Sequence, residues 1–337
     1  MDSNKIVSRL LLTIIYLIIV IIVVGGITRL TNSGLSIPAW EITEIFPPMS
    51  DDSWSEKFNN YKNYPDYKGQ TKEEYKLIYW WEYIHRIIGR IIGIIAIIPF
   101  FYFMYKKYLS REQKISYSFI LLLIIFQGVI GWMMVKSGLN PEVYEMSKGV
   151  SPFWLLAHLG MAFLTLSYTF FNYLRINKQY LINYNPSAAN FAKIIVILIF
   201  IQILLGALMA GFKAGIIYPT FPLMNGEFYP SRIIMFDFSN PDFIHFSHRW
   251  FPFALFILII SFYFKNRRHF SINQKGVFRI FIYIFIFQIF LGIVTVLNPV
   301  IPFNWEVDKV CIAVMHQFSA IIILLSAISL LFTFNSK

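Results

Sequence analysis

The sequence predicts an all-α, polytopic membrane protein whose eight transmembrane helices form two pseudo-twofold related four-helix bundles. Three observations carry that prediction. The chain has 337 residues, 57% hydrophobic and only 14% charged, against about 25% charged in ordinary soluble domains, and its mean hydropathy is +0.59. Its apolar residues gather into runs of about 20, the length that crosses a bilayer as a helix. The two halves of the chain also repeat one another.

The eight runs lie near 9–28, 83–105, 115–135, 152–174, 192–212, 243–264, 279–297 and 310–334. The first resembles a signal peptide, with Lys5 and Arg9 ahead of the apolar stretch. It is long enough to span and ends in GGITRLTNSG without a small-residue cleavage pattern, so it reads as a retained helix. The connections alternate in charge. Those on the side of the chain termini hold 15 Lys and Arg against Asp2 and Glu112, and the remainder carries 14 basic and 16 acidic residues. The positive-inside bias therefore places both termini in the cytoplasm, for a protein expected in the cell inner (plasma) membrane. It also accounts for the net charge of +11 as a topology signal, which excludes nucleic acid as the partner. The 29–82 connection lies outside. Its Pro38, Trp40, Pro47, Pro48, Trp54, Trp80 and Trp81 suggest an ordered cap on the membrane surface rather than a flexible acidic loop.

The repeat is read from three pairs of segments. EYIHRIIG in the second span matches HFSHRWFP in the sixth, which aligns His85–Arg86 with His248–Arg249. FQGVIG and FQIFLG align Gln127 with Gln288, and LLAHLGMA and AVMHQFSA align His158 with His316. The three offsets in numbering are nearly equal, and they fall on matching helices. Four helices per half give both halves one orientation, related by an axis along the membrane normal. The expected domains are 1–178 and 179–337.

All four histidines fall about 10 Å below the outer surface by helix rise. A buried imidazole at that depth is costly without a partner. Two per bundle, on different helices at equal depth, suit axial ligation of a haem iron, pairing His85 with His158 and His248 with His316. One turn further on stand Gly89, Ala162, Pro252 and Ala320. Three of these are small enough to admit a flat macrocycle, and Pro252 frees the carbonyl of His248 from its helical bond. Arg86 and Arg249 sit where haem propionates would point, and Arg29, Lys136 and Lys213 are further propionate candidates at outer helix ends. Zinc fits less well, because it favours tetrahedral closure by cysteine or clustered histidine and Cys311 is the one cysteine. A single cysteine also forbids an intrachain disulfide and places any redox chemistry on a bound group. His245 and His269 fall outside the set. The repeat that aligns His85 with His248 aligns Glu82 with His245. The first half therefore carries a carboxylate at the mouth of its pocket, able to move protons or orient water. That asymmetry suggests a chemical first half and a second half holding a permanent haem.

At these residues the chain resembles the haem A synthases of bacteria and mitochondria over nearly its whole length. The segments concerned are GGITRLTNSGLS at 25–36, WWEYIHRIIGR at 80–90, FQGVIGWMMVKSGL at 126–139 and HLGMAFLTL at 158–166, followed by LLGALMAGFKAG at 204–215, YPTFPLMNGEFYP at 218–230, HFSHRWF at 245–251 and MHQ at 315–317. The resemblance implies oxidation of a methyl group of haem O to the formyl group of haem A, for cytochrome oxidase. It implies a substrate haem at His85 and His158, a haem b at His248 and His316, and a required glutamate at Glu82. Implied partners are a haem O synthase and an electron donor such as a ferredoxin, with a homo-oligomer as a further expectation. Cysteine pairs found in the outer loops of some members are absent, placing the chain with the cysteine-free branch. The rival reading is a diheme bis-histidine cytochrome taking electrons from quinol. Its haems would be expected at two depths. A transporter with parallel repeats would instead show broken helices and polar groups at the midplane.

Overall fold

The computed structural model describes residues 3–38, 46–177 and 185–335. Trp40 of the expected cap, Asp2, Lys178, Lys337 and the expected boundary at 178/179 lie outside them. Among the described residues ten α-helices follow in order: α1 (Ser3–Leu30), α2 (Asp51–Tyr61), α3 (Lys72–Tyr105), α4 (Arg111–Gly138), α5 (Pro141–Ser147), α6 (Pro152–Asn177), α7 (Pro186–Gly211), α8 (Pro241–Asn266), α9 (Ile272–Leu297) and α10 (Val307–Asn335). Eight of them, all but α2 and α5, are long and apolar enough to cross a membrane, and they coincide with the eight runs read from the sequence. The chain is a multi-pass membrane protein.

Local sequence explains the helix starts. Thr71 and Glu74 form a reciprocal cap on α3, Ser110 and Gln113 on α4, and Ser271 and Gln274 on α9, each satisfying backbone donors that the first turn leaves unpaired. The α4 and α9 caps fall at the same offset as Gln127 and Gln288, so the repeat extends to the helix ends. Asn185–Pro186 and Asn240–Pro241 start α7 and α8 with a side-chain cap and a proline at the first helical position.

The helix α3 begins at Lys72, well ahead of the start near 83 that hydropathy gives. Its extra turns are not lipid-facing. Tyr75 and Tyr79 are buried there against Trp54 and Phe58 of α2, and Tyr61 stacks on Tyr75 with ring centres 4.9 Å apart. Hydropathy alone ends the span where the chain turns amphipathic, whereas the helix runs on into the cap. The described part of the cap from 46 onward packs into a defined structure, as the prolines and tryptophans there suggest. It is fastened by Asp66, which is 3% exposed and accepts hydrogen bonds from the hydroxyls of Tyr61 (3.2 Å) and of Tyr144 on α5 (3.1 Å). Burial pushes the Asp66 carboxyl up to about 6 and raises both tyrosine hydroxyls, while Lys213 nearby is lowered by its own burial.

In the membrane-spanning part α1, α6, α7 and α10 meet at the centre, with α3 and α4 flanking the first half and α8 and α9 the second. Ile14, Leu166, Ile195 and Leu324 are fully buried there, while Ile98, Phe101, Ile197, Ile257 and Tyr283 are exposed on the outside. This distribution suits a lipid solvent, in which close packing by small residues replaces the drive to hide apolar surface. At the join between halves a β-carbon on Gly211 would lie 2.7 Å from the Pro152 backbone, and one on Gly160 would lie 2.7 Å from Leu204. On the other side of the join Gln317 of α10 donates to the Ile22 carbonyl of α1 at 2.6 Å, seated against Gly26.

Candidate functional site: two imidazole pairs under the cap face

The four histidines come together in two pairs, as the repeat pairs them. The rings of His85 (α3) and His158 (α6) lie 6.5 Å apart between centres, at 62°. Those of His248 (α8) and His316 (α10) lie 6.3 Å apart, at 81°. A metal–imidazole bond of about 2 Å, plus roughly 1 Å from nitrogen to ring centre, doubles to about 6 Å across one metal. Among the described residues no three His, Cys, Asp or Glu side chains gather at one point. Two opposed imidazoles without further protein ligands match an iron that brings four porphyrin nitrogens of its own.

Each ring rests against a glycine of a neighbouring helix. A β-carbon on Gly25 (α1) would lie 2.9 Å from Cε1 of His85, and one on Gly206 (α7) 2.9 Å from Cε1 of His248. On Gly131 (α4) it would lie 2.8 Å from Cε1 of His158, and on Gly292 (α9) 3.1 Å from Cε1 of His316. Gly131 and Gly292 share the offset of Gln127 and Gln288, so they are repeat counterparts, and Gly25 and Gly206 set the register of α1 against α7. In FQGVIG and FQIFLG, sequence reasoning weighs only the glutamines. The closing glycines are the signal it leaves unused.

Glutamines one turn before three of these glycines, on the same helices, also meet the rings. The Gln127 carboxamide lies 3.1 Å from Nδ1 of His158, and that of Gln288 lies 3.3 Å from Nδ1 of His316. Ser319 hydrogen-bonds Gln288 in turn. Gln202 on α7, which sequence reasoning does not single out, lies 2.9 Å from Nδ1 of His248. It also donates at 2.9 Å to the His248 carbonyl that Pro252 leaves without its helical donor. Of the other one-turn neighbours, Gly89 faces the Ile21 side chain, 3.5 Å from where a β-carbon would stand.

The arginines after the α3 and α8 histidines fasten the outer connections. Arg86 donates to the Ile37 carbonyl at 2.6 Å and to Glu82. Arg249 donates to the Tyr218 carbonyl at 3.0 Å and contacts Nε2 of His245 at 2.9 Å. Ile37 and Tyr218 keep the same register as Gly25 and Gly206, so both halves use one clasp. Arg249 further holds the Pro222 and Leu223 carbonyls, and its buried Nε has no hydrogen-bond partner among the described residues. Glu82 and His245 thus occupy equivalent places, each one turn before its histidine and each against the arginine. Glu82 is 3% exposed and also accepts from Ser36 Oγ at 2.8 Å and from the Ile37 amide at 2.7 Å. His245, outside the ligand set expected from the sequence, is fully buried in this clasp. His269 is exposed in the short turn Arg267–His269.

The remaining cationic candidates are at the same face. Arg29 donates to the Ala210 carbonyl at 3.2 Å, Lys213 to the Lys148 carbonyl at 2.6 Å, and Lys136 lies over the Trp132 ring at 5.2 Å.

The family model described as cytochrome oxidase assembly protein, COX15-CtaA, matches residues 8–328. The chain belongs to this family. The cytochrome oxidase assembly match takes in both imidazole pairs, all four facing glycines and both arginine clasps. Similar curated proteins are named heme A synthase. That of Flavobacterium psychrophilum is 37% identical, covering 96% of each chain. That of Pelagibacter ubique is 38% identical, over 96% of this chain and 94% of its own, and that of Nitrosospira multiformis is 38% identical, over 93% and 88%.

Proposed function

We propose that this chain is a haem A synthase, an oxidoreductase that converts a methyl group of haem O to the formyl group of haem A. The observation that carries the reading is the pair of imidazole clefts, each set at the span of one iron and each walled by glycine. The names of the relatives supply the substrate and product. In this reading His85 and His158 receive haem O, and His248 and His316 hold a haem b, which supplies one-electron chemistry when bound. The first domain, 1–178, does the chemistry and the second, 179–337, carries the permanent haem. The protein lies in the cell inner membrane with both termini in the cytoplasm, takes its substrate from a haem O synthase and its electrons from a donor such as a ferredoxin.

The chain's own residues divide the work. The glycine walls hold each imidazole in one position, from which its ring nitrogen would meet a bound haem iron. The cap, pinned by Glu82, Ser36 and Arg86, covers the first cleft and keeps bulk water from it. Glu82 Oε2, bonded to the Ser36 hydroxyl, is placed to hold or pass a proton at the cap end of that cleft. Arg86 and Arg249 shape the two mouths, and the unpartnered Nε of Arg249 offers a donor for a propionate.

Co-expression with a source of haem O, followed by extraction and chromatography of the haems, tests the proposal. The expected result is haem A from the wild-type chain, and retained haem without haem A from Glu82→Ala. Haem O left unchanged by the wild type would favour a diheme cytochrome. Normal haem A from Glu82→Ala would refute the role of that carboxylate.

A further inference from the structure

Arg29 stands where the two halves meet. It lies four positions after Gly25 on the same face of α1, and Ala210 lies four positions after Gly206 on the same face of α7. Gly25 backs His85 and Gly206 backs His248, so positions 29 and 210 are repeat counterparts, each one turn beyond a wall of its own cleft. The structure brings these counterparts together, because the Arg29 guanidinium donates to the Ala210 carbonyl at 3.2 Å. In a twofold relation, a position that meets its own copy lies on the axis. Two arginines there would face each other, and the chain carries one arginine and one alanine. A guanidinium has five N–H groups. The bond to Ala210 uses one, and the others have no partner among the described residues. None of them is sealed among protein atoms as Nε of Arg249 is. No carboxylate of the described residues forms an ion pair with Arg29. Its charged neighbour is Lys213, close enough for the two like charges to repel. A half-buried cation so placed is costly unless an anion joins it.

We propose that Arg29 is one cation shared by both clefts, pairing with a propionate carboxylate of a haem in each. This rests on the reading that both imidazole pairs hold haem. The carboxylates of a haem belong at the watered cap end rather than in lipid. One helical turn, about 5.4 Å, separates Gly25 and Gly206 from positions 29 and 210, so the guanidinium lies beyond both ring walls and between them. The arginines that follow the histidines are committed elsewhere. Arg86 holds Glu82 and the Ile37 carbonyl, and Arg249 holds three carbonyls and His245. Of the three arginines expected at the mouths, Arg29 is the one whose fork remains open. A planar fork presents separate edges to separate acceptors, which the point charge of a lysine cannot do. A haem arriving in the first cleft then draws on the cation that already holds the resident haem of the second. Occupancy of each cleft therefore loosens the hold on the other, and by linkage the effect is equal in both directions.

The test titrates the full chain in detergent with iron protoporphyrin IX and with its dimethyl ester, which has no carboxylate to pair. Two backgrounds isolate the clefts. His85→Ala with His158→Ala leaves the second, and His248→Ala with His316→Ala leaves the first. Each background is expected to bind the acid more tightly than the ester. Arg29→Gln should lower that preference about tenfold or more in both backgrounds, as loss of a charge-assisted hydrogen bond does. A structural tie, in which Arg29 only complements the C-terminal ends of α1 and α7, would weaken acid and ester equally. A preference that survives Arg29→Gln in either background overturns the inference. Should that variant not fold, Arg29→Lys takes its place. A single ammonium lacks the fork, so full preference kept in both backgrounds overturns the inference instead. A wild-type chain that takes up no haem would refute the reading of the clefts itself, an outcome distinct from binding that ignores position 29.

Discussion

Gly131→Ala probes the glycine walls most sharply. The added β-carbon would lie 2.8 Å from Cε1 of His158, where ordinary contact begins at 3.4 Å, so ring or helix must yield by about 0.6 Å. Metal–ligand bonds tolerate only about 0.2 Å of error. Overpacking of this size typically costs about 1–3 kcal/mol, which corresponds to roughly 5- to 160-fold in haem affinity for the first cleft. With no iron to hold it the His158 ring can turn aside, and the same substitution raises helix propensity by about 1 kcal/mol, so the haem-free protein should lose less stability than the haem-bound one. Gly276→Ala on α9 is the matched control, since its β-carbon would meet nothing within 4 Å and only the propensity gain applies. Haem titration of the purified variants, read in the Soret band, is the assay. Equal haem affinity in Gly131→Ala and Gly276→Ala would refute the argument that glycine sets the ligand position.

Three further outcomes follow from the cap face. Arg249→Met strips donors from the Tyr218, Pro222 and Leu223 carbonyls. At about 1–3 kcal/mol for each buried group left unpaired, the 218–223 turn should become the first site of proteolysis, which limited digestion would show. The pH dependence of the cap turns on Asp66, whose folded carboxyl is raised to about 6 by burial, despite the two tyrosine donors and Lys213 that oppose the rise and with Glu82 adding to it. An unfolded aspartate titrates near 3.9, so the cap is most stable below about pH 4 as far as this group is concerned. It loses about 3 kcal/mol as pH rises through 6. Hydrogen exchange in 51–80 should therefore quicken between about pH 4 and pH 6.5 beyond its chemical pH dependence, and Asp66→Asn should abolish that excess. Finally, Glu82→Ala leaves the Ser36 hydroxyl and the Ile37 amide without their acceptor, so protease sensitivity near 33–38 should rise alongside the loss of haem A.

Much of this is legible in the sequence because periodic features survive without coordinates. The eight spans follow from hydropathy, and the histidine pairs follow from three matched offsets at one depth. Glu82 stands out because its repeat partner is His245. The clasp around both residues is not legible. It depends on the carbonyls of Ile37 and Tyr218, and backbone carbonyls carry no side-chain signature. Gln202 escapes because α1 and α7 are further apart in the chain than the other paired helices, the outer connection of the first half being longer. Its partner there is an isoleucine, so no motif matches. The start of α3 is misplaced for a physical reason. Tyr75 and Tyr79 are buried against protein rather than lipid, and transfer scales cannot separate the two environments.

The position of α1 has a consequence for biogenesis. Gly25 abuts a ring of the first cleft, and the adjacent Gly26 abuts Gln317, which lies next in sequence to a ring of the second. The residue that docks on Ile22 is 295 positions later in the chain. At the ribosome's pace of about 5–20 residues per second, roughly 15–60 s separate the insertion of α1 from the arrival of its last neighbour. For that interval the groove at Gly26 has no partner from its own polypeptide. Lipid or an insertion chaperone must fill it, and a nascent chain arrested before α10 would display one finished cleft beside an open flank.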